Sequence, residues 1–62
     1  MLSHYRNHLI EFFIDDFLSA EIIEEDSAVR LPTKVTATKE EGYDVCLERA
    51  HALVDIYLGE TE

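Results

Sequence analysis

The sequence predicts an all-α protein: two amphipathic helices, over about 4–25 and 39–58, joined by a partly extended linker. Three observations point there. Apolar residues recur at helical spacing in both stretches. A Thr and a Glu three positions apart open the second one. The segment between them alternates apolar and polar residues around a proline, which suits extended chain better than helix. An α+β arrangement, α-β-β-α, is the alternative, with 20–25 and 28–37 forming a small hairpin between the helices.

In the first helix Ser3 is placed to accept hydrogen bonds from the free amides of the opening turn. Tyr5, Leu9, Phe12, Phe13, Phe17 and Ala20 fall on one side. The far end is anomalous. Glu21, Glu24, Glu25 and Asp26 would sit at the negative end of the helix dipole, and no glycine closes the helix. Either the helix stops near Ser19 and the chain runs on extended, or the acids are kept for binding.

The linker runs from Asp26 to Ala37, long for a plain helix–helix connection. Val29, Leu31, Val35 and Ala37 alternate with Arg30, Lys34 and Thr36. Pro32 restricts such a strand to an edge, a bulge or a strand end. It has two possible partners: residues 20–25, or its own copy in a second chain.

The second helix has better signals. Thr38 and Glu41 have capping-box spacing, and Glu40 and Glu41 lie at the positive end of the dipole. Tyr43, Cys46, Leu47, Ala50, Leu53, Val54 and Tyr57 make one stripe. Gly59 stands where a left-handed C-cap residue is expected. Gly42 weakens the first turn by up to ~1 kcal/mol relative to Ala. Residues 60–62 form a fraying tail.

Sixty-two residues make a single small domain, 1–62. A chain this short buries only about 60% of its unfolded surface, so its core needs reinforcement. Cys46 is the only cysteine, which excludes an internal disulfide. A metal, a partner chain or close helix packing remains. Hydrophobic residues make up 47% of the chain, enough for a globular core. Fourteen acidic residues against five Lys and Arg give a formal net charge of −9. That balance argues against direct nucleic-acid binding and against an anionic membrane surface. No apolar run approaches the ~18 residues of a membrane-spanning helix. No leader is visible, and a lone cysteine fits a reducing compartment, so a cytoplasmic location is expected.

Few constellations suggest chemistry. His4, His8, Glu11 and Asp15 share a face of the first helix, and Asp44, Glu48, His51 and Asp55 share one of the second. Glu48 and His51 have the Glu-x-x-His spacing of bundle metal sites. His4, His8, Glu11, Glu48 and His51 are therefore the metal candidates, although both faces lie where solvated surface belongs. Cys46 sits on the apolar stripe as a small hydrophobe. No phosphate-cradling loop or paired acid and base is present, so neither an enzyme nor a cofactor is expected.

Assembly signals are stronger. Val45, Ala52 and Ile56 lie nearly opposite the main stripe of the second helix, and Ile14, Leu18 and Ile22 fall outside that of the first. Helices apolar on two sides are buried on two sides. These six residues, with Asp16 in the apolar arc as a candidate ion-pairing residue toward Arg6 or Arg49, are the expected interface of a homodimer in a four-helix arrangement. The alternative is that the central segment folds back over them. The expected function is non-enzymatic: a small acidic regulatory protein that binds a larger basic protein, one form being a nucleic-acid mimic. Glu21, Glu24, Glu25 and Asp26, with Glu40, Glu41 and Asp44, are the candidate docking charges. A metal-binding bundle or a structural subunit without ligand are the alternatives.

Overall fold

The computed structural model describes residues 2–59 and contains one helix, not two. Four strands come first: β1 (Leu2–Tyr5), β2 (His8–Ile14), β3 (Leu18–Glu24) and β4 (Val35–Ala37). The helix α1 (Gly42–Tyr57) follows. The strands form one antiparallel sheet in the order β1-β2-β3-β4. The fold is α+β, a meander covered on one face by a C-terminal helix.

The helical hairpin, the four-helix arrangement and the α-β-β-α alternative are all overturned, because residues 4–25 form a β-meander. Leu9, Phe12 and Phe13 fit a 3.6-residue period. They also fit a strand that is apolar on both faces, and periodicity cannot separate the two. Composition tips the balance. Ile10, Phe12, Phe13, Ile14, Ile22 and Ile23 are β-branched or aromatic and pack well on a pleated surface. The acid cluster that opposed a helix C-terminus is harmless on a strand and its turn.

Each break in the meander has a local cause. Tyr5 pairs with His8, leaving a two-residue turn in which Arg6 and Asn7 both have positive φ, 50° and 67°. That is the pattern whose twist matches a hairpin. Ile14 pairs with Leu18 across the three-residue turn Asp15–Phe17, where the Asp15 N–H donates to the Phe17 carbonyl at 3.0 Å. Asp16, which fell inside the supposed apolar arc, is therefore an exposed turn residue. After β3 the chain reverses through Ala28 and returns along β3. Arg30 bridges Ile23, Pro32 interrupts, and Val35–Ala37 resumes the pairing against Leu18–Ala20. The linker strand thus pairs with 18–23 of its own chain, broken at Pro32.

The helix is close to expectation, starting at 42 rather than 39. Thr38 and Glu41 exchange the capping-box bonds: the Thr38 N–H to Glu41 Oε1 at 2.9 Å, and the Glu41 N–H to Thr38 Oγ1 at 3.1 Å. These close a turn just before α1. Gly42 then takes φ +88°, a left-handed value that turns the chain into the helix and favours glycine. At the other end Gly59 has φ +76°, and its N–H donates to the Ile56 carbonyl. The tail 60–62 lies outside the described residues.

Alternation along the strands sorts the side chains. Ile10, Leu18, Ala20, Ile22 and Ala37 face α1 and meet Cys46, Ala50 and Val54 in a buried core. Leu2, Leu9, Phe13 and Ile23 lie on the other face, which α1 does not cover. Small residues at Ala20, Ala37 and Ala50 let the helix approach the sheet closely.

Candidate functional site

Three segments meet at one end of the molecule. The β2–β3 turn lies beside the end of β4, because Leu18 pairs with Ala37, and the turn into α1 follows at once. Three large apolar side chains stand out there: Phe13 at 43% exposure, Phe17 at 49% and Ile14 at 73%. Phe17 borders two open depressions of about 450 and 400 Å³. One is lined by Thr36, Ala37, Thr38, Glu41 and Arg49; the other by Phe13, Asp15, Ser19, Glu21, Lys34 and Thr36.

The floor of the first depression is braced. Arg49 grips Glu41 with two bonds, Nη1 to Oε1 at 3.0 Å and Nη2 to Oε2 at 2.7 Å, and its Nη1 also donates to the Thr36 carbonyl at 2.8 Å. The Arg49 guanidinium, helped by the Thr38 amide, holds the Glu41 carboxyl below the usual glutamate range, and Glu41 raises Arg49 in return. Bidentate pairing of this kind fixes geometry as well as charge. The pair ties α1 to the end of β4 and sets the position of the wall beside Phe17.

The acids divide into committed and free. Glu21 pairs with Arg30 and reaches Lys34 at 3.7 Å; Glu11 also meets Arg30 at 3.7 Å. Glu24 accepts the Ser27 hydroxyl, and Glu25 meets His4 Nδ1, both at 2.5 Å. Glu41 belongs to Arg49. Among the described residues, Asp15, Asp16, Asp26, Glu40, Asp44 and Glu48 are exposed and form no ion pair. Asp15, Asp16, Glu40 and Asp44 belong to the Phe17 end; Asp26 lies in the turn at the far end of β3. Of the seven predicted docking charges the structure therefore brings Glu21, Glu40, Glu41 and Asp44 to this end, and spends Glu21 and Glu41 internally. Glu24 and Glu25 have partners elsewhere.

A second cluster joins β1 to the last turns of α1. The Tyr5 hydroxyl donates to Asp55 Oδ1 at 3.0 Å, Arg6 Nη1 donates to the same oxygen at 2.9 Å, and the Tyr5 ring stacks on His51 with centroids 3.9 Å apart. The hydrogen bond to the Asp55 carboxylate, with burial adding to it, raises the Tyr5 phenol above its ordinary value. His8 is buried, with Nδ1 2.8 Å from the Arg6 carbonyl. His51 Nε2 is buried without a hydrogen-bond partner among the described residues. These contacts pin the β1–β2 hairpin to the helix. Cys46 is buried in the core, and desolvation pushes its thiol up, away from the reactive thiolate.

The metal candidates are scattered. His4 and Glu11 are on the uncovered face of the sheet, His8 and His51 are on the covered side, and Glu48 is exposed on α1. Among the described residues no three His, Cys, Asp or Glu side chains gather to hold a metal ion. The predicted dimer residues are dispersed as well. Leu18 and Ile22 belong to the protein's own core, Ile14, Ala52 and Ile56 are exposed, and Val45 is half-buried. Sequence reasoning missed Phe13, Asp15 and Phe17, whose signal was an Asp pair interrupting an apolar run. No family model, curated protein or solved structure matches the chain.

Proposed function

We propose that this is a non-enzymatic docking protein that captures a basic, amphipathic segment of a larger protein at its Phe17 end. One observation carries the reading: Phe13, Ile14 and Phe17 stand exposed beside Asp15 and Asp16 of the same turn, next to the turn into α1 that holds Glu40, and neither Asp15, Asp16 nor Glu40 has an ion-pair partner among the described residues. Exposed apolar side chains bordered by charge mark interaction surfaces. The carboxylates would draw in and orient a basic partner, and the aromatic rings would anchor it in the two depressions. Interleaving of rings with acids favours a partner with apolar residues of its own. A nucleic-acid mimic needs the charges without the rings.

The test uses a fluorescent peptide of Lys and Leu in amphipathic order and reads its anisotropy against salt. Phe17→Ala and the pair Asp15→Asn, Asp16→Asn should each weaken binding about tenfold, which corresponds to ~1.4 kcal/mol. Asp26→Asn, at the other end, should leave it unchanged. Equal losses for Asp16→Asn and Asp26→Asn, with no effect of Phe17→Ala, would reduce the interaction to net charge and overturn the reading.

A further inference from the structure

We infer that the segment captured at the Phe17 end is a basic amphipathic helix, held through its side chains and not added to the sheet as a further strand. This rests on the docking reading above and names the conformation of its partner. β4 is the outer strand of the sheet, and Thr36 lines both depressions, so an extended peptide entering here would pair along β4. That edge is closed. Successive residues of a strand turn their N–H and C=O groups to opposite sides. The Leu31 N–H donates to the Ile22 carbonyl, so Ile22, and with it Ala20 and Leu18, points toward the β4 side. Their opposites Val35 and Ala37 point back at β3, and Thr36 between them faces outward. Arg49 Nη1 donates to the Thr36 carbonyl at 2.8 Å, and both Glu41 oxygens hold that guanidinium in place. At Thr38 the N–H goes to Glu41 Oε1 at 2.9 Å, and the carbonyl accepts the Gly42 N–H at 3.1 Å. Three of the four backbone groups of Thr36 and Thr38 are therefore already bonded, whereas an added strand needs donors and acceptors in alternation.

A helix bonds its own backbone and asks for none of these groups. What it offers fits what this end presents. Phe17 borders both depressions, one toward Glu41 and Arg49, the other toward Phe13 and Lys34. Apolar side chains three or four positions apart on a helix lie about 5–6 Å from each other and can sit on either side of one ring. The cations in the two linings, Lys34 and Arg49, are matched by Glu21 and Glu41. The unmatched charge is negative on both sides. Asp15 lines one depression, and Glu40 adjoins Glu41 of the other. The fitting helix therefore has an apolar pair at i and i+3 or i+4, with Lys or Arg beyond each member.

Three fluorescent peptides of equal length, read by anisotropy, test this. The first places Leu at helical spacing with Lys between. The second has the same composition in strict alternation. The third is the first with proline at a central Lys position, which breaks a helix but not an extended chain. The helical-order peptide should bind at least about tenfold more tightly than either of the others, and its far-UV circular dichroism should gain helical signal in the complex. Phe17→Ala should weaken its binding, which ties it to this end. An alternating peptide that binds as tightly, with the same loss in Phe17→Ala, would overturn the inference and leave the docking reading standing. Tolerance of the central proline would do the same. Indifference of every peptide to Phe17→Ala would overturn the docking reading itself, and this inference with it.

Discussion

Along β3, Leu18, Ala20 and Ile22 point toward α1 and are buried, while Ser19, Glu21 and Ile23 between them are only half-covered. The same strand thus serves two surfaces of opposite character. The covered face is small, apolar and closely packed, with alanines where the helix comes nearest. The other has apolar residues at its centre and edge and an ion-pair network around Arg30. A single helix can close only one side of a sheet. The second side must be made tolerable to water or given a partner, and this face has features of both: neutral charge pairs and leftover apolar area.

Substitutions on adjacent residues of opposite face sharpen this contrast. The largest difference is expected between Ile22→Ala and Ile23→Ala. Ile22 is fully buried, and its truncation should cost about 2–5 kcal/mol, enough to unfold much of so small a domain. Ile23→Ala should cost about 1 kcal/mol by urea denaturation. Equal losses would mean that both faces are packed. Next comes Ala20→Leu against Ser19→Leu. The first forces three carbons between β3 and α1 and should cost about 1–3 kcal/mol. The second adds an apolar group to the open face and should change stability by less than about 0.5 kcal/mol.

A smaller effect is expected within the acid cluster. Glu21→Gln removes the shared partner of Arg30 and Lys34 and should destabilise by up to ~1 kcal/mol, as exposed ion pairs do. Asp26→Asn, which breaks no ion pair among the described residues, should be neutral in thermal melts. The effect at Glu41 is read through its pH dependence. Its folded pKa lies below its ordinary 4.5. Its stabilisation is therefore fully present above pH ~4.5 and is lost as pH falls through the lower folded value. Wild type should exceed Glu41→Gln in stability by a constant margin at neutral pH, and the margin should shrink in acid. A margin that grew in acid would contradict the Arg49 clamp.

The C-terminal half was readable because its signals agree with one another. The Thr38–Glu41 box, the stripe through Cys46, Ala50 and Val54, and Gly59 all specify a single helix that is apolar on its sheet-facing side. Pro32 likewise marked where the linker strand breaks. The N-terminal half misled because its strands carry apolar residues on both faces. Ile10 and Ile22 face the core and Leu9 and Ile23 face outward, so no clean two-residue alternation survives. Its turns also lack the usual punctuation. Arg6–Asn7 and Asp15–Asp16–Phe17 contain neither glycine nor proline, and only the Asp pair hinted at a break. The exposed Phe17 end was hidden for the same reason, since Phe13 and Phe17 seemed to be core residues of a helix. The Arg49–Glu41 clamp joins positions that only the fold brings together.

The central claim is that α1 closes one face of the sheet and leaves the other open. Methyl NOE spectroscopy tests it most directly. Contacts to Ala50 and Val54 should come from Ile10, Ala20 and Ile22, and none from Leu2, Leu9 or Ile23. Contacts from Leu9 or Ile23 to α1 would show that the helix packs on the other face, and would contradict the account.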